Sequence, residues 1–427
     1  ARKEIPDWCM ASCSYDNWKK TETVVFDKTV LKAQSGAKVQ RMTKLPAERI
    51  FQTPQGDTVV DFGQNLTGWV EFTVQGSAGD EVELNFFEVL DAAGNVYLDN
   101  LRTAKETVTY IIKDDNEVTF APHFTYQGFQ FMRLAKYPGE PKPENFTACA
   151  LHSEMEQTGT FTCSNPDVNQ LMHNILWGMK GNFLDVPTDC PQRDERLGWT
   201  GDAQIFCRTA TYLMDTYTFY TKWLRDVAVD QTEEGGVPHV VPDILTGKST
   251  EDWLMKDGAH SAAAWADVAV IMPWTLYLMY GDKTVIENQY ESMKAWLGFM
   301  QAHAEDHIWN YKLQFGDWVA LDAEEGSYFG ATPTDLTCTA YYAYSTGLFA
   351  KMAKAVGKDA DAENYQKLYE EIVKSYQKHF FDEDGRLIAQ TQTAQIVSLY
   401  FDLVQKESVQ KVTEDLLRLL EKEHGHL

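Results

Sequence analysis

The chain has 427 residues, 44% of them hydrophobic, and a formal net charge of −25. Length and apolar content imply two domains with full cores. The acidity excludes the basic footprint of a nucleic-acid binder and disfavours anionic polysaccharides while permitting a neutral one.

Residues 1–25 read as the tail of a preceding domain or a linker. Residues 26–158 have the period-2 alternation of strands, as in Asp57-Thr-Val-Val-Asp-Phe62, Gly68-Trp-Val-Glu-Phe-Thr-Val74, Asp80-Glu-Val-Glu-Leu-Asn-Phe86, Thr107-Val-Thr-Tyr-Ile-Ile112 and Gly128-Phe-Gln-Phe-Met-Arg-Leu134. Several strands with turn residues between them predict an antiparallel β-sandwich of jelly-roll or concanavalin-like form.

From 159 to 427 the period becomes helical. Asn165 and Pro166 form an N-cap and first turn, and Val168, Leu171, Met172, Ile175, Leu176 and Met179 share one face. Eight helical runs are expected, near 167–182, 203–231, 261–280, 283–304, 337–356, 361–380, 391–403 and 408–424. Long loops rich in Gly, Asp and Trp occupy 231–261 and 304–337, and loops of that length usually carry function. Helices alternating with long loops predict an all-α (α/α)6 barrel. A closed one needs about twelve helices, so the barrel is expected to be incomplete at its C-terminus.

The seven cysteines are irregularly spaced with no CxxC pair and read mostly as free core thiols, neither a disulfide framework nor a zinc site. His239, His260 and His307 read as satisfied or solvated side chains, not ligands. Nothing is apolar enough over about 18 residues to span a membrane. A signal removed upstream of Ala1 is compatible with the sequence, so the compartment is open, with bacterial periplasm or extracellular space favoured over cytoplasm. Oligomeric state is not legible.

The densest chemical cluster is Asp189-Cys-Pro-Gln-Arg-Asp-Glu-Arg-Leu-Gly-Trp-Thr-Gly-Asp202, with four carboxylates, two arginines and a tryptophan. Gly198 and Gly201 mark it as a loop. Inverting glycoside hydrolysis needs a protonated carboxylic acid beside the leaving oxygen and a carboxylate base across the ring. Crowded carboxylates and an indole wall can keep one acid protonated, while arginines fix the others. A salt-bridged surface turn is the competing reading. Aromatic residues make up 13% of the chain, which suits stacking on sugar rings as well as packing between large helices.

This segment resembles the signature of bacterial α-L-rhamnosidases, glycoside hydrolase family 78. Asp61-Phe-Gly-Gln-Asn-Leu-Thr-Gly-Trp69 and Phe124-Thr-Tyr-Gln-Gly-Phe129 resemble the family's β-sandwich. Gly235-Gly-Val-Pro-His-Val-Val-Pro242, Ala264-Trp-Ala-Asp267, Pro273-Trp274, Tyr280-Gly-Asp282, Gly316-Asp-Trp318 and Thr332-Pro-Thr-Asp-Leu336 follow in the family's order. The resemblance implies Glu195 as the general acid, with Asp194 as the competing acid, and Asp189 and Asp202 as holders of sugar hydroxyls that also tune Glu195. It makes Arg193 a sugar or carboxylate partner, Trp199, Trp265 and Trp318 stacking walls, and Asp267 and Asp317 hydroxyl binders; helix or turn caps and core packing are the alternatives for the last five. It implies exo-hydrolysis of a terminal α-L-rhamnose from a glycoside or polysaccharide, with inversion and no cofactor. The family's catalytic base lies in a downstream segment that has no counterpart here. The terminal Glu423-His-Gly-His-Leu427 resembles the lead-in to a later helix, so the chain is expected to lack the base and to be inactive alone; failing that, Asp317, Asp322 or Glu324 would be the base. Two other classes fit the same scaffold: a non-catalytic glycan-binding protein, and an (α/α)-barrel glycosidase for a different sugar.

Overall fold

The structure is a computed structural model that describes residues 5, 7–247 and 259–422; Glu423–Leu427, where a further helix was expected to begin, lie outside them. The chain divides into two units. The first comprises Ala1–Glu154, Phe161–Asp185 and Cys190–Arg196, and the second Met155–Thr160, Val186–Asp189 and Leu197–Leu427.

The first unit is an antiparallel sheet with a main core and a smaller one formed by Val59, Phe87 and Phe131. Its strands are β1 (Val39–Pro46), β2 (Arg49–Gln52), β3 (Thr58–Val74), β4 (Glu81–Phe87), β5 (Thr107–Ile111), β6 (Val118–Phe120), β7 (Gln127–Lys136) and β8 (Phe146–Ser153). The main order is β1-β8-β3-β7-β4-β5, with β2 and β6 also pairing with β3. The two segments 57–62 and 68–74, expected as separate strands, are one long strand. Early in β3 its partners are β2 and β7, and later β8 and β6, with a register shift between Asp61 and Leu66. Asp61 sets that irregularity. Its buried carboxylate accepts from Arg49 at 2.9 Å, Gln130 Nε2 at 3.1 Å and the Gly63 amide at 2.9 Å, giving the locally unpaired backbone a partner. Val70, Phe72 and Val74 alternate inward from β3 onto Val82, Leu84 and Phe86 of β4 and Phe146, Ala148 and Ala150 of β8.

Helix α1 (Pro166–Asn182) has the expected cap, with the Asn165 side chain accepting from the Asp167 amide. The sequence reading puts it with the other helices, but its contacts group it with the strands. Trp177 packs on the sheet core, and His173 Nε2 meets Gln64 Oε1 at 2.7 Å. The amphipathic face found in the sequence is real; periodicity alone does not say which core it covers.

The second unit holds α2 (Thr200–Leu213), α3 (Tyr217–Asp230), α4 (Val268–Tyr280), α5 (Thr284–His303), α6 (Thr334–Ala355), α7 (Asp359–Phe380), α8 (Gln392–Tyr400) and α9 (Val409–Lys422). The run expected as one helix over 203–231 is two, broken at Met214-Asp215-Thr216. There the Asp215 amide turns back to the Glu156 carbonyl at 2.8 Å and the Thr216 amide donates to Tyr280 Oη at 2.9 Å. Helices α2, α4, α6 and α8 touch in succession, while α5, α7 and α9 each pack on the preceding member of that series. Burial follows: 15 residues of α6 are buried against four in the equally long α7. This inner and outer alternation is that of helical hairpins in an (α/α) barrel. Among the described residues no helix is long and apolar enough to cross a membrane.

Gly68 marks the tightest approach in the sheet, because a Cβ there would lie 1.9 Å from the Cys149 carbonyl oxygen on β8. Gly68→Ala must therefore push two paired strands apart. It is expected to lower unfolding free energy by about 3 kcal/mol, read by urea denaturation with a sheet-domain probe; a loss below about 0.5 kcal/mol would contradict this packing.

Candidate active site

The signature loop is closed at its neck inside the second unit. The Asp189 amide donates to the Leu197 carbonyl at 3.0 Å, and the Leu197 amide donates back to Asp189 Oδ1 at 2.9 Å. One carboxylate thus turns a two-residue bridge into a brace. The loop ends one turn earlier than Gly201 suggests. Trp199 is the N-cap of α2, so Thr200, Gly201 and Asp202 are helical, with Asp202 exposed in the first turn. Gly201 serves close packing, not loop flexibility: a Cβ would stand 2.6 Å from the Trp265 indole.

Residues 190–196 belong to the first unit, and the β4–β5 connector of that unit holds them one by one. Arg102 Nη1 donates to Glu195 Oε2 at 3.0 Å, and Arg193 Nε reaches the same oxygen at 2.8 Å. The Glu195 side chain is 19% exposed. Next to it, Asp194 accepts from the Thr103 hydroxyl and, at 3.3 Å, from the Thr103 amide. Those hydrogen bonds hold the Asp194 carboxyl below the usual carboxylate range despite some desolvation. On the other side Arg196 donates to the Tyr126 carbonyl at 3.0 Å, lies 4.8 Å over the Tyr126 ring and pairs with Glu106. Tyr126 belongs to the Phe124–Phe129 segment singled out in the sequence.

Glu106 is 4% exposed in its side chain and accepts from the Gly128 amide at 3.2 Å. Burial pushes its carboxyl up to about 7, outweighing the opposing pull of Arg196 and the Gly128 amide. Nearby Glu88 is also raised by burial, with Asn65 and Arg193 acting against the shift. Arg102, Glu106 and Arg196 all have left-handed backbones, with φ of 54°, 41° and 55°. Such non-glycine conformations cost about 1–3 kcal/mol each and persist where surrounding contacts over-determine them.

The second unit supplies an aromatic cluster centred on Phe315, which is 2% exposed. Ring centroids of Trp265, His239, Trp318 and Trp199 lie 4.5, 4.9, 5.3 and 6.1 Å from it. All three indoles are half-buried, so each keeps exposed surface. Trp318 also packs on Tyr328 and Phe329. Asp317 is half-buried and accepts from Thr332 Oγ1 at 3.1 Å. Burial pushes the His239 imidazole down to about 3, and its Nε2 finds no partner among the described residues, unlike the satisfied or solvated histidine expected there. His260 fits that expectation, with Nδ1 2.7 Å from Ser261 Oγ.

Asp267 is placed differently from its expected role as a hydroxyl binder. It is 0% exposed, and its oxygens accept from Trp296 Nε1 at 3.1 Å, Ser345 Oγ at 2.6 Å and the Ala264 amide at 2.8 Å. It ties α4 to α5 and α6 as a buried, fully engaged carboxylate, so a sugar hydroxyl has no surface to approach. Phe315 directly precedes the Gly316-Asp-Trp318 motif, and that adjacency is the one sequence signal that could have found it. Arg102, Thr103 and Glu106 lie in a connector with no periodicity or motif, and nothing in the sequence marks them.

Residues 51–152 match the bacterial α-L-rhamnosidase concanavalin-like domain and residues 156–427 the bacterial α-L-rhamnosidase six-hairpin glycosidase domain. An α-L-rhamnosidase of Formosa agariphila is 34% identical over 432 residues, covering 100% of this chain and 45% of the relative. The crystal structure of Streptomyces avermitilis α-L-rhamnosidase complexed with L-rhamnose is 36% identical, with a TM-score of 0.85 over 92% of this chain and 36% of that one. Native α-L-rhamnosidase from Aspergillus terreus superposes with a TM-score of 0.92 at 33% identity, over 100% of this chain and 49% of that one. The chain thus spans less than half the length of each of these proteins.

The raised carboxyl of Glu106 carries a sign for stability. A group that holds its proton more tightly when folded favours the folded state most below its unfolded pKa, near 4.5, and that contribution is lost as pH rises towards about 7. Glu106→Gln should remove this slope, which is at most about 1.4 kcal/mol per pH unit. The stability difference between wild type and variant, from denaturation between pH 4.5 and 7.5, should shift in the variant's favour as pH rises; a pH-independent difference would refute the buried, proton-holding carboxyl.

Proposed function

Because the chain belongs to the bacterial α-L-rhamnosidase family, we propose that it contributes the general acid of an inverting glycoside hydrolase that removes terminal α-L-rhamnose from a glycoside or polysaccharide. In this reading Glu195 gives its proton to the glycosidic oxygen as the bond to the anomeric carbon breaks. Water, deprotonated by a carboxylate on the opposite face of the ring, attacks that carbon and rhamnose leaves with its anomeric configuration inverted.

The observation that carries this assignment is the contrast between two adjacent carboxylates. Asp194 is committed to the hydroxyl and amide of Thr103, which engage it with the connector and hold it towards its ionised form. Glu195 instead meets two guanidinium groups on one oxygen. A bidentate or shared Arg contact fixes the direction of a carboxyl group, as an acid aimed at one leaving oxygen requires.

The remaining roles rest on the family resemblance. Arg193 steers the acid. Trp199, Trp265 and Trp318 offer indole faces to the apolar side of a sugar ring, and Asp202 and Asp317 offer carboxylates to its hydroxyls. Asp189 is proposed for the same task with one oxygen already bracing Leu197. The L-rhamnose complex of the Streptomyces avermitilis relative supports the choice of sugar.

In the full-length enzyme, Glu195→Gln should lower turnover on a natural rhamnosyl disaccharide by about 10²–10⁴-fold, with a smaller loss on activated aryl rhamnosides, whose leaving groups need little protonation. Asp194→Asn should stay within about tenfold of wild type on both. Full activity of Glu195→Gln on the disaccharide, or a larger loss in Asp194→Asn, would move the acid away from Glu195.

A further inference from the structure

We propose that Arg102, on the strand connector of the first unit, is a positioning residue that sets the direction of the Glu195 carboxyl; the inference rests on the assignment of Glu195 as the acid. An isolated, exposed ion pair contributes little, and the Arg102 side chain is 56% exposed. This pair is not isolated. Three consecutive loop residues, Asp194, Glu195 and Arg196, are taken by Thr103, Arg102 and Glu106 of one short connector. The outer two contacts fix the loop backbone relative to the connector, so the middle one acts on the side-chain angle alone.

The Arg102 backbone has φ of +54°, which an arginine adopts only under constraint, and this conformation directs its Nη1 to Glu195 Oε2 at 3.0 Å and to Asp194 Oδ1 at 3.9 Å. Arg193 reaches the same Glu195 oxygen from within the loop. Two donors converging on one oxygen from different segments restrict the orientation of the carboxyl group more than either does alone. Proton transfer to a leaving oxygen falls off steeply when donor and acceptor are misplaced by about 1 Å, with losses on the order of 10²-fold.

The test compares Arg102→Met and Arg102→Lys in the protein, with Glu195→Gln as the reference. Arg102→Met should lower kcat on a poor-leaving-group rhamnoside about 10–100-fold with little change in KM, lower kcat on an activated aryl rhamnoside less than about threefold, and leave the melting temperature unchanged. Arg102→Lys, which keeps one charged donor, should recover part of the loss. Equal losses of Arg102→Met on both substrates, or wild-type kinetics on both, would overturn the positioning role while Glu195→Gln retained its leaving-group selectivity. If Glu195→Gln lacked that selectivity, the acid assignment would fail, and this inference with it.

Discussion

The contact between the buried Glu106 carboxyl and Arg196 is the one on which the placement of residues 190–196 depends. A carboxylate with 4% exposure is costly unless its partners are supplied by the fold. Glu106 receives them from Arg196 and from the Gly128 amide at the start of β7. Removing Arg196 would leave the Glu106 carboxyl buried without its side-chain partner, so the contact specifies a position even if its net contribution to stability is small. Arg196 is thereby committed to Glu106 and Tyr126, and its neighbour Glu195 meets the connector at Arg102.

The second unit solves a related problem with a different carboxylate. Helix α4 is apolar on nearly all sides, which by itself gives little directional information. Asp267, buried at the start of α4, supplies it by accepting from Trp296 on α5 and Ser345 on α6. Burial raises its carboxyl above the ordinary range while those hydrogen bonds pull the other way. The loop at 304–333 brings Phe315 against Trp199, Trp265 and Trp318, so indoles from three separate parts of the chain share one buried ring.

Periodicity was a good guide where one face of an element meets one core, as in β4, β5, β7 and α1. It misled where irregularity was local. The Asp61 carboxylate carries β3 across a register shift that reads in sequence as a turn, and the break between α2 and α3 depends on Tyr280, 64 residues away. The chemical motif was legible because its carboxylates and arginines are contiguous. Its connector partners were not, since Arg102 and Glu195 are 93 positions apart and nothing local in Arg102-Thr-Ala-Lys-Glu106 signals the pairing. The Asp267 role failed for a similar reason. A short motif shows which residue types are present, but only the packing of α4, α5 and α6 shows that this carboxylate faces inward.

The strained residues follow the same logic. Left-handed backbone at Arg102, Glu106 and Arg196 is unfavourable for each alone, yet all three sit where a charged side chain must leave the chain in a fixed direction. A glycine would adopt those angles more cheaply but would bring no charge. The sequence therefore keeps the charged side chain and accepts the strain at both ends of one ion pair, Glu106 and Arg196, and at the residue facing Glu195. Strain that coincides with charge in this way belongs to the device that orients the loop, because a connector needed only to join β4 to β5 could have placed glycine at positions 102 and 106.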